Sequence, residues 1–456
     1  MSEIIQTEKI TQLVNHGTSS GDIDAILNKA LSLSRLELEE AAALLNVTDE
    51  ETRNRIHHTA KMVKSSIYGN RLVIFAPLYI SNLCKNDCAY CGFRVSNRGL
   101  KRKALSMEEI TSETEHLLRT GQKRVLMVSG EAYPRDGLNY VLRSIDTIYN
   151  ARVGEHGIRR INVNIAPVET DDFRRLREHN IGTYQLFQET YHKPTYHKLH
   201  TLGPKTDYDY RLNTIGRAFH GGIDDVGIGV LFGLYNWKYE VLSILSHVEY
   251  LEREFGMGPH TISVPRLEPA TGSSISTKPP FEVTDEDFKL IISVLRLAVP
   301  YIGLILSTRE TPEMRKAAFE LGISQISAGS KTNPGGYGEN DSCEQFSLGD
   351  HRSLDDVIYD VVSSGFIPSF CTSCYRLGRT GLDFMEFAKP GEIKKKCQPN
   401  ALITFTEYLL DFASDKVKNA GMELIARELA ETDPETAGKT KALIQIVRDG
   451  KRDVFV

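Results

Sequence analysis

The chain lacks the features that direct a protein to a membrane, a secretory pathway or a nucleic acid. No apolar run approaches the roughly 18–20 residues that span a bilayer. Residues 1–6 show no basic start followed by an apolar stretch, as a secretory signal would. The formal net charge of the 456 residues is only -5, which gives no electrostatic argument for nucleic acid or an anionic membrane. We therefore expect a cytoplasmic globular protein with no nucleic acid and no membrane among its partners.

Cysteine is scarce and unevenly distributed. Six of the seven cysteines fall into two groups of three, and Cys343 stands alone. In a large chain without a secretory signal, grouped cysteines favour metal sites over disulfide bonds. The sequence therefore predicts two metal sites, and we interpret Cys343 as an incidental loop thiol.

The first group, Cys84-Lys-Asn-Asp-Cys88-Ala-Tyr-Cys91, has the spacing C-x3-C-x2-C. Three thiolates hold three irons of a [4Fe–4S] cluster and leave the fourth iron open to a small molecule. A structural zinc ion is the alternative, although it needs four Cys or His ligands and no fourth lies in this stretch.

A GxGxxG phosphate motif is absent, and so are low-complexity tracts. Instead, apolar runs alternate with amphipathic segments eight times. The runs predicted as strands are 72–80, 124–129, 161–168, 183–189, 225–232, 261–267, 303–307 and 323–328. This alternation predicts an α/β fold, a (β/α)8 barrel of the TIM type. A doubly wound open sheet is the alternative, but the sequence has no obvious switch point.

The same pattern predicts three segments. Residues 1–71 form an N-terminal helical extension, residues 72–364 the barrel, and residues 365–456 a C-terminal domain with the second cysteine group. Within the barrel, Ser106-Met-Glu-Glu109 is a capping box that predicts the start of a helix.

Polar residues follow several predicted strands, at the end of the barrel where enzymes place their reacting groups. Strand two ends in Ser129-Gly130-Glu131, strand four reaches Glu189, and the helix after it carries Arg211. Carboxylates pair with an ammonium group and arginine with a carboxylate, so these residues suit an amino-acid-like ligand. Each of them alone is equally consistent with an ordinary loop or surface role.

Strand seven ends in Ser307-Thr308-Arg309-Glu310. Arginine holds a carboxylate in a bidentate contact, and Ser307, two residues earlier, points to the same side. We expect Ser307 and Arg309 to anchor the carboxylate of a second amino-acid-like ligand, the substrate. The alternative is an ion pair between Arg309 and Glu310.

The second group, Cys371-x2-Cys374-x22-Cys397, again offers three thiols, and zinc with a distant fourth ligand is the alternative. The eighth barrel helix returns the chain to the bottom of the barrel, so this site is expected opposite the first. A rise of about 3.3 Å per strand residue separates the two sites by roughly 20–30 Å. His260, at the start of strand six, belongs to the same end and is a candidate metal ligand, or else an ordinary surface or core histidine.

These motifs carry a family resemblance over nearly the whole chain. The first group, with Tyr90 before its third cysteine, resembles the cluster loop of the radical S-adenosylmethionine (SAM) superfamily. The second group, from Phe370 to Gly381 with Cys397 beyond, resembles that of the tyrosine lyases that mature [FeFe]-hydrogenase. The related 2-iminoacetate synthases of thiamine biosynthesis share the barrel but lack this tail.

The resemblance implies a reaction in two stages. SAM, bound to the open iron of the first [4Fe–4S] cluster, is cleaved reductively to a 5′-deoxyadenosyl radical, which takes a hydrogen atom from the amino group of L-tyrosine. The Cα–Cβ bond breaks to give p-cresol and dehydroglycine, and dehydroglycine yields CO and cyanide. A second [4Fe–4S] cluster with an additional labile iron, a five-iron cluster, captures both for the hydrogenase.

The resemblance also implies roles for residues and partners. The first cluster binds Cys84, Cys88 and Cys91; the second binds Cys371, Cys374 and Cys397; His260 holds the extra iron; Ser307 and Arg309 anchor the substrate; and Tyr90, Ser129, Gly130, Glu131, Glu189 and Arg211 form the SAM site. Implied partners are a reductant such as ferredoxin or flavodoxin and a scaffold protein of hydrogenase maturation. A 2-iminoacetate synthase and a non-catalytic iron–sulfur carrier remain alternatives.

Overall fold

The structure, a computed structural model, describes residues 3–16, 22–338 and 344–456. The interpretation of Cys343 therefore lies outside the described residues. A sheet of nine parallel strands forms the framework. The strands are β1 (Arg71–Ser81), β2 (Arg124–Ser129), β3 (Arg160–Asn164), β4 (Tyr184–Gln185), β5 (Val226–Gly229), β6 (Thr261–Ser263), β7 (Gly303–Leu306), β8 (Gln325–Ser327) and β9 (Ile367–Ser369).

Helices surround this sheet and continue beyond it at both ends of the chain. They are α1 (Thr7–His16), α2 (Ile23–Leu31), α3 (Leu38–Leu45), α4 (Glu50–Tyr68), α5 (Met107–Arg119), α6 (Leu138–Asn150), α7 (Thr170–Glu178), α8 (Lys193–Leu199), α9 (Tyr208–Leu212), α10 (Thr214–His220), α11 (Trp237–Phe255), α12 (Ser274–Thr277), α13 (Asp285–Ala298), α14 (Pro312–Leu321), α15 (Leu354–Ser363), α16 (Ser373–Arg376), α17 (Gly381–Ala388), α18 (Lys394–Asp411), α19 (Asp415–Glu431) and α20 (Pro434–Arg448). None of the helices described is both long and apolar enough to cross a bilayer.

The first eight strands close into a barrel. Each pairs in parallel with the next, and β8 pairs with β1. Eight parallel strands inside a ring of helices are a (β/α)8 barrel, so the predicted fold class is confirmed and the open sheet is excluded. Every predicted run overlaps one strand; the run at 124–129 has the bounds of β2, whereas the later strands are shorter than predicted.

Strand β1 is the longest, and all eleven of its residues are buried. A parallel strand covered on both faces is typically a continuous apolar run, which accounts for the stretch Leu72–Ile80. Residues 76–81 pair with β2, residues 73–75 with β8 and residues 71–73 with β9. The strand is therefore held by three neighbours along its length.

No pattern in the sequence predicts β9, which continues the alternation beyond residue 364. The strand has three residues, one of them Pro368, and so has neither the length nor the periodicity of a strand signal. Its pairing with the start of β1 carries the chain to the amino-terminal end of the barrel, two residues before Cys371.

The terminal helices pack on the barrel. Helix α4 contacts α13 and α14, and α18 contacts β9, α4, α19 and α20. The three segment boundaries proposed from the sequence stay predictions.

The predicted capping box starts helix α5. The Ser106 hydroxyl accepts a hydrogen bond from the Glu109 N–H (3.2 Å), and the Glu109 carboxylate accepts one from the Ser106 N–H (2.8 Å).

We expect Ser106→Ala to destabilise this first turn by about 1 kcal/mol, since it leaves a helix N–H without its acceptor. Hydrogen exchange at the amides of residues 107–110 should then become about fivefold faster. The control is Ser106→Asp, which retains an acceptor and should exchange like the parent. Equal exchange in the alanine variant and the parent would contradict the role of the cap.

Candidate functional site

The first cysteine group lies in the loop after β1, at the carboxyl ends of the strands, here called the upper end. The Asn86 N–H donates to the Cys84 sulfur (3.4 Å), and the Gln345 side-chain amide donates to the Cys91 sulfur (3.7 Å). Burial raises the pKa of Cys84, Cys88 and Cys91, for Cys91 to about 11. The free thiols are therefore protonated at neutral pH, and a bound metal must displace their protons.

Beside this loop, Glu131, Glu189, Lys205 and Arg211 form one ion-pair network. Arg211 donates to Glu131 (2.9 Å) and Lys205 donates to Glu189 (2.7 Å). Each cation also lies 3.8 Å from the other carboxylate. Burial alone would raise the pKa of Glu131, but the charges of Arg211 and Lys205 outweigh it and lower the pKa. The structure thus brings three of the predicted SAM-site residues together around a lysine.

Two backbone features position this network. Glu189 has a φ of 70°, an uncommon conformation for a residue other than glycine. Gly130 donates its N–H to the Ser81 carbonyl (2.8 Å), and a Cβ at Gly130 would lie 2.3 Å from the Leu83 carbonyl oxygen. Ser129 donates its hydroxyl to the Gly130 carbonyl (3.0 Å). The glycine therefore permits a close approach between this turn and the chain just before Cys84.

Tyr90, within the cysteine loop, is hydrogen-bonded to His200. The His200 Nδ1 lies 2.8 Å from the Tyr196 carbonyl oxygen, which only accepts, so this nitrogen carries the proton. The other nitrogen, Nε2, consequently accepts from the Tyr90 hydroxyl (2.8 Å). Burial lowers the pKa of His200 to about 2, so the imidazole is neutral.

A cavity of about 170 Å³ extends from the first cysteine group into the barrel, and its wall includes Cys91, Glu189, Ser307 and Arg309. The Arg309 guanidinium packs on the Phe346 ring, 3.2 Å from its centroid. Within the described ranges, no carboxylate pairs with Arg309. An unpaired guanidinium beside a cavity suits a ligand carboxylate.

Glu310, the alternative partner of Arg309, is already paired. Its carboxylate accepts from the guanidinium of Arg266, with the Nε 3.0 Å from the nearer oxygen. The ion pair between Arg309 and Glu310 that the sequence left open is therefore excluded.

The second cysteine group lies at the opposite end, the lower end. Cys371, Cys374 and Cys397 line a cavity of about 50 Å³, and His260 lines it with them. The Cys374 thiol donates to the Cys397 sulfur, and this hydrogen bond holds the pKa of Cys397 below its usual value. One thiol of the group is thus close to the thiolate form that binds metal.

Positive charge surrounds this lower cavity. Arg71 and Arg124 line it, their Nε atoms are buried without a hydrogen-bond partner, and Arg124 donates to the Cys371 carbonyl (2.8 Å). In the described part of the chain neither arginine has a carboxylate partner. Buried cations require compensating negative charge, and three thiolates on an iron–sulfur core carry it. The residues present fit such a cluster.

His260 is suited to bind a metal at this end. Burial lowers its pKa, although Asp225, 3.8 Å from Nδ1, opposes the effect. The ring packs against Phe384, with centroids 4.3 Å apart. The imidazole is therefore neutral, which is the form that binds metals.

The distances between the cysteine sulfurs distinguish a site for an iron–sulfur cluster from a site for a single metal ion. Among the residues described, one triplet alone, His156, Glu407 and Asp411, brings three metal-binding atoms within 4.8 Å of one another. The sulfurs of each cysteine group are thus more widely spread, whereas ligands about 2.3 Å from one zinc ion would lie within about 4 Å of each other. In the triplet, Lys123 pairs with Glu407 and Arg452 with Asp411.

Three residues of the upper site carry no recognisable signal in the sequence: His200, Lys205 and Gln345. Lys205 lies in a single 3₁₀ turn at Pro204–Thr206, and Gln345 accepts from the Tyr79 hydroxyl (2.7 Å). Their contacts join loops distant in the sequence, so no local motif identifies them.

Comparison with known proteins agrees with this geometry. Residues 78–245 match the radical SAM superfamily, and residues 263–367 match the biotin and thiamin synthesis associated domain. The 2-iminoacetate synthase of Escherichia coli (strain K12) is 32% identical over 351 residues, which are 76% of this chain and 90% of the relative. The chain is therefore a radical SAM enzyme, and this family indicates a [4Fe–4S] cluster and SAM as its cofactors.

Comparison with solved structures assigns the chain to one family of radical SAM enzymes. A crystal structure of HydG, a maturase of the [FeFe]-hydrogenase, is 46% identical, with 100% of both chains covered and a TM-score of 0.96. HydG from Carboxydothermus hydrogenoformans is 39% identical over 96% of both chains, with a TM-score of 0.83. The chain belongs to the HydG family of [FeFe]-hydrogenase maturases.

The close approach at Gly130 leads to a prediction. We expect Gly130→Ala to weaken SAM binding about tenfold or more, because the added methyl overlaps a backbone oxygen next to Cys84 and such overpacking costs about 1–3 kcal/mol. Equilibrium SAM binding to the cluster-loaded protein measures the effect. Gly438→Ala is the control, since a Cβ there meets nothing within 4 Å. Parent-like affinity in Gly130→Ala would refute the steric argument.

Proposed function

We propose that this protein is a cytoplasmic lyase that cleaves the Cα–Cβ bond of L-tyrosine to p-cresol and dehydroglycine and passes CO and cyanide to iron. The observation that carries the proposal is the pairing of two cysteine groups at opposite ends of one barrel, each with the surroundings of an iron–sulfur cluster. The likeness to HydG over the whole length supports it.

At the upper end, the cluster on Cys84, Cys88 and Cys91 supplies, when bound and reduced, the electron that cleaves SAM. Glu131 and Glu189 are suited to the SAM ammonium group, and Arg211 to its carboxylate. Arg211 and Lys205 lower the pKa of the buried Glu131, because a cation in contact favours the charged form of a carboxylate.

The substrate is anchored by its carboxylate. Arg309 and Ser307 hold it at the wall of the upper cavity. The same wall includes Leu126, Val128 and Phe187, which give the tyrosine ring an apolar surface.

At the lower end, we propose that Cys371, Cys374 and Cys397 hold a second [4Fe–4S] cluster and that His260 binds an additional labile iron. Dehydroglycine contains the atoms of one CO, one cyanide and one water, so its breakdown needs no further reactant. The cationic Arg71 and Arg124 favour an anionic cluster and an anion such as cyanide. Ferredoxin or flavodoxin is the proposed reductant, and a maturation scaffold protein the proposed acceptor.

The second candidate is a 2-iminoacetate synthase, which the 32% identical relative favours. Both candidates release p-cresol from tyrosine. They differ in the fate of the second fragment, because only the maturase converts it to CO and cyanide.

Because the two ends of the barrel carry different steps, variants at each end should lose different products. We expect the double variant Cys371→Ala/Cys374→Ala to keep p-cresol formation and to lose CO, because it removes lower-end ligands only. Cys91→Ala is the matched comparison and should lose both products. Chromatography of p-cresol and carbon monoxide trapping by haemoglobin measure the two outcomes.

Two results would contradict this division. If the lower double variant loses p-cresol to the same degree as Cys91→Ala, the two ends do not act separately. If the parent, with both clusters present, forms p-cresol and glyoxylate but never CO, the synthase is favoured instead.

The substrate anchor predicts a change in KM. We expect Arg309→Ala to raise the KM for tyrosine about 10- to 100-fold, since a hydrogen bond to a charged group contributes about 1.5–3 kcal/mol. Arg309→Lys should recover part of the lost affinity for tyrosine. Lysine keeps the positive charge but cannot make the bidentate contact of a guanidinium. Arg253→Ala, at an exposed ion pair, is the control. An unchanged KM would remove Arg309 from the substrate site.

A further inference from the structure

One aromatic side chain separates the lower cavity from an external groove. The groove, of about 950 Å³, lies on the outside of the barrel at its lower end. Among the described residues, the small cavity at the second cysteine group and this groove have a single wall residue in common, Tyr375. Tyr375 directly follows Cys374 and is half-buried. Its ring thus faces the cysteine cavity on one side and the groove on the other.

Non-covalent contacts hold this ring in place. The Arg160 guanidinium packs on the ring, and the His260 ring lies 6.3 Å away between centroids. Asp225 lies beside the Tyr375 hydroxyl and pairs with Arg160 (3.0 Å). All of these contacts are made by side chains, so none of them belongs to the backbone pairing of the barrel.

The groove itself is open and polar. Exposed residues of both charges line it, among them Asp146, Arg177, Glu178, Asp224 and Arg376. Such a surface is hydrated, whereas the cavity behind Tyr375 is small, about 50 Å³. A small polar species that leaves the cysteine cavity by this side passes Tyr375 and the Arg160 and Asp225 side chains packed against it, and then enters water.

We propose that Tyr375 gates a passage, here called the port, between the second cysteine group and solvent. Ferrous iron and anions the size of cyanide pass through it. The inference rests on the proposed function, in which this group holds a cluster with an exchangeable iron. An exchangeable iron must enter from solvent, and an anion that binds this iron from outside must reach it as well. Tyr375 lines both the cysteine cavity and the groove, whereas the upper cavity lies at the other end of β1.

A gating side chain changes the rates at which a ligand enters and leaves, but it does not change the free energies of the free and bound states. The test therefore measures rates and affinity separately. The protein with both clusters is mixed with cyanide, and the electron paramagnetic resonance signal of the second cluster is followed by freeze-quenching. We expect Tyr375→Ala to raise the association and dissociation rates by the same factor, about tenfold or more. The Kd for cyanide should stay within about twofold of the parent value.

A second variant keeps the test decisive if the alanine variant loses its cluster. Tyr375→Phe retains the ring but removes the hydroxyl beside Asp225, so both rates should rise by less, about two- to fivefold. The control is Asn150→Ala, which alters the groove away from Tyr375 and should leave both rates unchanged. Formation of p-cresol verifies that each variant keeps its upper site.

The possible outcomes distinguish a failure of the port from a failure of the proposed function. Unchanged rates in both Tyr375 variants, with the second-cluster signal present, overturn the port alone. A changed Kd with unchanged association makes Tyr375 a ligand contact and also overturns the port. If the parent shows no second-cluster signal, the proposed function fails, and the port fails with it.

Discussion

Strand β1 joins the two sites and fixes the distance between them. Arg71 at its first position lines the lower cavity, and Cys84 follows its last residue by three positions. Eleven residues at about 3.3 Å each span roughly 35 Å, too far for any group at one end to touch the other. Because β2, β8 and β9 pair with successive parts of β1, neither end can shift without breaking the sheet.

The two ends of this strand differ in how their charges are balanced. At the upper end, two carboxylates and two cations pair with one another, and ligand binding there exchanges one set of ion pairs for another. At the lower end, Arg71 and Arg124 have buried donor atoms without partners. The positive charge of these two arginines is balanced only when an anionic group occupies the lower cavity. In the part of the chain that the structure describes, the upper end also has an unpaired guanidinium, Arg309, which suits a ligand carboxylate, whereas Arg71 and Arg124 at the lower end suit an anionic cluster.

The sequence predicts the barrel well because eight buried parallel strands leave eight apolar runs, and the chain path alone places Cys371 opposite Cys84. It fails where structure depends on few residues or on distant contacts. The three residues of β9 are too short for a periodic signal. Lys205 and Gln345 act through loops that meet only in the fold. The placement of Arg309 at the upper end and of His260 at the lower end follows from the predicted strands, but the pairing of Glu310 with Arg266 required coordinates.

We propose that fragments made at the upper end are assembled on iron at the lower end. Infrared spectroscopy of the protein turning over tyrosine, unlabelled or labelled with carbon-13 at its carboxyl and Cα carbons, tests it most directly. The account predicts CO and cyanide stretching bands that grow with p-cresol formation, shift with the label and require Cys371, Cys374 and Cys397. Steady p-cresol formation without such bands, in protein that holds both clusters, would contradict it.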